Sequence, residues 1–144
     1  MDVKNEMRLA FPSKSQNESF SRVSVSAFFS SLDPTLEELN DIKTAVSEAV
    51  TNAIVHGYGD KIGVVYIYCK ILSGNIAYIR IRDNGKGITD IPQAREPMWS
   101  SSPETERAGL GFSVMESFMD SLRVLSRVGK GTTVIMTKKI SAKK

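Results

Sequence analysis

The stretch from Leu36 to Gly57 constrains this chain more than any other. Leu36, Leu39, Ile42, Val46, Ala49, Val50 and Ala53 recur at three- and four-residue intervals, so a helix here carries one apolar face that must be covered. Asp33 reads as its N-cap and Pro34 as its first helical residue, where no amide hydrogen is needed. Gly57 can take the left-handed conformation that stops a helix. Glu48 and Asn52 lie four apart on the flank of the apolar stripe, stacked one turn above the other. A carboxylate there can orient or deprotonate a hydroxyl, and a carboxamide oxygen can ligate a hard cation such as magnesium. A polar pair on a solvated helix face has the same spacing, so the pair gains meaning only from the rest of the chain.

Around this helix the chain alternates strands and helices. Residues 5–11 alternate polar and apolar, with Met7, Leu9 and Phe11 on one side of an opening strand. A helix over about 17–31 follows, with Phe20, Val23, Ala27 and Phe28 inward and Arg22 toward solvent or a partner. Past the turn-rich 57–63, strands at 64–72 and 76–82 form a hairpin around Ser73-Gly74-Asn75. In the second strand Ala77, Ile79 and Ile81 share the apolar face, and the two-residue period puts Asp83 at its end. A carboxylate in that place is costly without donors. Amides of the next turn could supply them, and so could the amino group of a bound base. Gly85 and Gly87 in that turn permit close approach of backbone to a ligand.

Residues 89–108 lack periodicity and carry Pro92, Pro97, Pro103 and Ser100 to Ser102, the composition of a lid or a disordered segment. Gly109-Leu110-Gly111-Phe112 then opens a third helix with Val114, Met115, Phe118 and Met119 as its apolar positions. Free amides and the dipole at such an N-terminus suit a phosphate. A last hairpin pairs 122–128 with 132–140.

With 144 residues, 41% of them hydrophobic and 24% charged, the chain suits one domain with a real core. It has no apolar run long enough to cross a bilayer, and Met1 to Glu6 carry acids rather than a secretory signal, so a cytoplasmic protein that binds no membrane is expected. The single Cys69 excludes an internal disulfide and a cysteine-rich zinc site, and it alternates with Ile67 and Ile71 as a buried residue would. The formal charge of +3 owes part of its excess to Lys138, Lys139, Lys143 and Lys144. Neither a helix-turn-helix nor a basic face interleaved with aromatics is legible, so no direct nucleic-acid partner is expected. The phosphate-loop signature G-x-x-x-x-G-K-S/T is absent.

Each motif alone is weak, but their order is specific: Glu48-x-x-x-Asn52 on a helix, Asp83-x-Gly85-x-Gly87 after a strand, a long aperiodic segment, Gly109-x-Gly111, and Gly131-Thr132-Thr133 leading the last strand. This set resembles the GHKL (Bergerat) ATP-binding fold shared by gyrase, Hsp90, histidine kinases and MutL. Within it, the segments Asn17 to Val23, Ser47 to Tyr58 and Glu106 to Phe112 are similar to the anti-sigma-F factors of endospore-forming bacteria, small serine kinases of sporulation. The resemblance runs over nearly the whole chain.

It implies a single α+β domain over 1–144, a two-layer α/β sandwich whose mixed, mostly antiparallel sheet is covered on one face by helices, with an ATP lid at about 89–108. It implies ATP and Mg2+ as cofactors, a sigma factor and an anti-anti-sigma protein as partners, and a homodimer. Glu48 would act as general base or orienting carboxylate for the substrate serine, and Asn52 would bind magnesium. Asp83 would accept from the adenine amino group, with Gly85 and Gly87 making room and Thr132 nearby. Gly109, Gly111 and Phe112 would give main-chain contacts to the phosphates. His56, Ile88 and Leu110 complete the implied nucleotide contacts. Arg107 would reach the terminal phosphate or a docked partner, and Arg22 would belong to the partner surface. A module that sequesters a sigma factor and uses ATP only to set its shape is the competing reading.

Overall fold

The period-two alternation of the strands decides which way the sheet faces. The computed structural model describes residues 2–88 and 103–141, with the backbone alone for 103–108. The sheet is built from β1 (Val3–Pro12), β2 (Val64–Leu72), β3 (Ile76–Asp83), β4 (Ser121–Arg127) and β5 (Gly131–Lys139). Their order is β1-β2-β3-β5-β4, and every pairing among the described residues is antiparallel. Val65, Ile67, Cys69 and Ile71 on β2 and Ala77, Ile79 and Ile81 on β3 point to one face and are buried. Burial pushes the Cys69 thiol up to about 12, so it packs as an inert apolar group.

Helices α1 (Gln16–Phe29), α2 (Leu36–Thr51) and α3 (Pro103–Phe118) supply the second layer. Ile42, Ala45, Val46, Ala49 and Val50 of α2 are buried, as are Phe112 and Met115 of α3. The apolar stripe read from the sequence is therefore the seam of the core from Ile42 onward; of its first two residues, Leu36 is 81% exposed and Leu39 half-buried outside the core.

Three local expectations are corrected. First, α2 begins later than Asp33. Thr35 is its N-cap, and Thr35 and Glu38 form a reciprocal capping box with bonds of 3.1 and 2.9 Å. Asp33 instead takes the left-handed conformation (φ 58°) that closes the short 3-10 turn Ser30–Leu32. Second, Gly57 does not stop the helix. The helix continues as a wider π-helical segment, Asn52–Tyr58, and Gly59 at φ 61° terminates it. Third, α1 turns a different face inward, and of the four residues expected there only Phe28 packs, half-buried, against the core. Val25 and Phe29 are buried together with Ser21 and Ser26, whereas Phe20 and Val23 are 57% and 59% exposed and Ala27 is exposed too. The apolar residues of α1 lie on two faces, and the face with two serines is buried because Ser21 can satisfy its hydroxyl within the helix, 2.7 Å from the Glu18 carbonyl.

The outer face of the sheet carries a ladder that linear sequence does not show. Arg8, Tyr68 and Arg80 are direct cross-strand neighbours on three strands. Both guanidinium groups lie over the Tyr68 ring, 4.5 and 5.0 Å from its centre. Arg82 lies over Tyr66 in the next row. Basic and aromatic residues thus do interleave, but across strands rather than along one.

Candidate nucleotide site

Helix α2 and its π-helical continuation run as one rod beneath two groups of predicted residues. Glu48 and Asn52 sit where the one passes into the other, and Gly57 and Tyr58 sit at the C-terminal end. Nine residues separate Glu48 from Gly57, at most roughly 13 Å along the axis at the α-helical rise of ~1.5 Å.

At that junction, α3 crosses α2 at a glycine. A β-carbon on Gly111 would fall 2.9 Å from Asn52 Nδ2, 3.2 Å from Asn52 Oδ1 and 3.1 Å from Glu48 Oε2. The missing side chain is what lets α3 lie against this polar pair. Glu48 and Asn52 are half-buried, and Asn52 Nδ2 is buried with no hydrogen-bond partner among the described residues. An orphaned amide beside a carboxylate, under the bare backbone of a glycine, is a place for a polar ligand. His56 is half-buried one turn further on.

The third helix differs from the expectation in where it starts. It begins at Pro103, not at Gly109, so Gly109, Leu110, Gly111 and Phe112 lie in its interior. Proline favours a first helical position and an acid such as Glu104 favours a first turn, a start signal hidden by the aperiodic composition before it. Main-chain amides at 109–112 are therefore committed to the helical ladder, and phosphates could reach them only if the turns before them opened. Gly109 and Phe112 are buried and Leu110 is exposed. The side chain of Arg107 and most of the segment read as a lid, residues 89–102, lie outside the described residues.

At the C-terminal end of the rod stands Asp83, 5% exposed. Burial raises its pKa, and the main-chain amides of Gly85 and Thr132 pull it back down; Gly85 N donates to Oδ1 at 2.8 Å. Its carboxylate rests on Gly57, where a β-carbon would come within 2.9 Å of it. Thr132 pairs with Asp83 across β3 and β5. The reason for Gly85 and Gly87 is not room for a ligand alone. Added β-carbons would strike the carbonyl oxygens of Gly57 (2.2 Å) and Arg127 (2.1 Å), so the chain's own backbone fills that space.

Three contributors were missed from the sequence. Gly57 was read for its conformation, whereas its work is steric. Ser126 links Thr132 to the Asp83 turn: its hydroxyl lies 2.8 Å from Thr132 Oγ1 and accepts from the amide of Ile88 at 2.8 Å. Nothing in a serine on an ordinary strand marks it. Tyr58 bonds to the main chain of the Asp83 turn, and its place directly after Gly57 was a usable signal.

Arg22 is half-buried and forms an ion pair of 3.9 Å with Glu18. Glu18 also accepts from Ser47 at 2.9 Å, so Arg22 is tied through one carboxylate to the residue before Glu48.

The residues fit a magnesium nucleotide in a restricted way. No group of three or more His, Cys, Asp or Glu that could hold a metal exists among the described residues. Asn52 and Glu48 offer only a few oxygens side by side. That suits magnesium, which keeps waters and takes further oxygens from phosphates rather than from a protein cage.

The chain also resembles known proteins over nearly its whole length. Residues 11–138 match the family described as the histidine kinase-like ATPase domain. The anti-sigma F factor of Clostridium novyi is 56% identical over 139 residues, covering 96% of this chain and 96% of that protein. Its counterpart in Clostridium perfringens is 59% identical over 95% of this chain and 98% of its own, and that of Anoxybacillus flavithermus 53% identical over 99% and 97%. Among solved structures, the RsbU and RsbW domains of a Mycobacterium tuberculosis protein superpose with a TM-score of 0.71 at 15% identity, over 97% of this chain and 34% of that one. A blue-light activated histidine kinase of Erythrobacter litoralis gives a TM-score of 0.56 at 20% identity, over 85% and 61%. At these identities the two structures show the fold alone. An α+β layer architecture, a glycine crossing over Glu48 and Asn52, a buried Asp83 and full-length relatives above half identity lead to one conclusion: the chain belongs to the anti-sigma F factor family, within the histidine kinase-like ATPase domains.

Proposed function

We propose that this chain inhibits a sporulation sigma factor by binding it and, as an ATP-dependent serine kinase, phosphorylates and so inactivates the anti-anti-sigma protein that opposes it. The observation that carries this reading is the contact of Gly111 with Glu48 and Asn52, which brings a carboxylate, an unpartnered amide and bare backbone together.

Bound ATP and magnesium would supply the phosphoryl group and the charge that neutralises it. The chain's own residues divide the remaining tasks. Asp83 accepts from the amino group of the base, and its burial makes an unpaired carboxylate there costly, which favours a base that donates. Asn52 offers its oxygen to the cation. Glu48 holds the substrate serine by its hydroxyl and accepts the proton as transfer proceeds, while positioning supplies most of the rate. Arg107 is assigned to the terminal phosphate or the docked partner, and Arg22 to the partner surface. A homodimer in the cytoplasm completes the proposal. No helix among the described residues is long and apolar enough to cross a membrane.

Glu48→Gln separates a kinase from a sequestering module. Nucleotide and sigma binding should persist while transfer of labelled phosphate to an anti-anti-sigma protein falls about a hundredfold or more. Transfer at the parent rate would remove Glu48 from the chemistry.

A further inference from the structure

Tyr58 is the last residue of the π-helical segment, and its hydroxyl is shared by two distant parts of the chain. It donates to the carbonyl of Val64, at the start of β2, at 2.6 Å. It accepts from the amide of Asn84, directly after Asp83, at 2.7 Å. A single hydroxyl can do both. The ring is seated on Gly63, where a β-carbon would fall 2.2 Å from Tyr58 Cε1. Gly63 is itself bonded at both its amide and its carbonyl to Ser13, at the end of β1, at 3.0 and 2.9 Å. One residue back, the Gly57 carbonyl accepts from the amide of Lys86 at 2.9 Å. The end of the helical rod therefore holds the Asp83 turn at two points, Asn84 and Lys86, on either side of the amide of Gly85 that orients the Asp83 carboxylate.

The widening of the helix accounts for this reach. A π-helical segment moves the last residues off the register that an α-helix would impose, and such segments are retained mostly where function needs a particular placement. We propose that Tyr58 is a positioning residue for base selection: it holds the turn that sets the direction of the Asp83 carboxylate, and so sets how strongly a base with an amino group at position 6 is preferred over one with an oxo group there. Tyr58 does not touch the nucleotide. This rests on the nucleotide reading of the site given above.

Tyr58→Phe keeps the ring on Gly63 and removes both hydrogen bonds. Binding of ATP should weaken roughly five- to tenfold, the scale of one to two lost hydrogen bonds. The preference for ATP over GTP should narrow, and binding of inorganic triphosphate should not change. In phosphate transfer the loss should fall on KM for ATP rather than on kcat. A residue with a merely structural role would weaken all three ligands together and lower thermal stability in step. Unchanged ATP affinity and base preference would overturn the proposal, and so would equal weakening of ATP and triphosphate. Amide exchange at Asn84 in the nucleotide-free protein gives an independent readout. It should speed up in Tyr58→Phe, and unaltered protection would show that Tyr58 does not hold the turn. If the parent binds no adenine nucleotide while exchange at Asn84 still responds to Tyr58→Phe, the reading of the site fails and the clamp stands as a structural one, which also overturns the role in base selection.

Discussion

Replacing Gly111 with alanine sets two known effects against each other at one atom. Inside a helix, alanine is favoured over glycine by about 1 kcal/mol. Here the new β-carbon would lie 2.9 Å from Asn52 Nδ2, 3.1 Å from Glu48 Oε2 and 3.2 Å from Asn52 Oδ1. Ordinary contact begins near 3.4 Å, so the three atoms must give by two to five tenths of an ångström or α3 must lift. Overpacking of this kind costs roughly 1–3 kcal/mol. The sum is a net loss of about 0–2 kcal/mol, or a melting temperature lower by several degrees at most for a domain of this size. The functional loss should be larger than the stability loss, because a displacement near 1 Å in a reacting group costs about a hundredfold. A shift about half that size should lower phosphate transfer tenfold or so. Thermal melts and single-turnover transfer with labelled ATP measure the two quantities on one preparation. Adding Asn52→Ala to Gly111→Ala should return part of the lost stability, because it removes two of the three atoms in the way and leaves Glu48 Oε2, while transfer stays low. A Gly111→Ala variant that is about 1 kcal/mol more stable than the parent and transfers phosphate normally would refute the packing argument and, with it, the pairing of α3 with the Glu48 and Asn52 side chains.

Other residues give further outcomes. Asp83→Asn should weaken ATP binding tenfold or more, the worth of a hydrogen bond to a charged group, as measured by calorimetry. The same change should raise the melting temperature of the nucleotide-free protein at neutral pH. Burial raises the Asp83 pKa, so the folded parent carries the cost of a charged carboxylate above that value, and the gain should shrink as pH falls toward the ordinary aspartate value of 3.8. Thr35→Ala removes one half of the α2 capping box and should cost about 1 kcal/mol in denaturant titration. Burial pushes the Glu38 carboxyl up, but hydrogen bonds from Thr35 and Ser141 outweigh it and hold the group down at about 2. The stability that Glu38 contributes is therefore complete above its ordinary value of 4.5 and lost as pH falls toward about 2; melts of parent and Glu38→Ala should converge over that window.

What the sequence determined by itself is the set of elements and their buried faces on regular stretches. A period of two on β2 and β3 and a three-four period on α2 leave one way to hide Ile67, Ile79, Ile42 and Val46, and the structure hides them that way. Asp83 was legible because the strand period carries past its last apolar residue. Only tertiary structure decided the rest. Periodicity could not choose between the two apolar faces of α1, because the choice depends on what α2 and β1 present to it and on Ser21 finding a local acceptor. Gly57 and Gly111 look like helix punctuation in one dimension, but their role is to let a carboxylate and a polar pair come close from segments tens of residues away. The arginine–tyrosine ladder and the reach of Tyr58 to Asn84 likewise exist only once separate strands and turns are brought side by side, since a contact is set by distance in space and a sequence pattern reports distance along the chain.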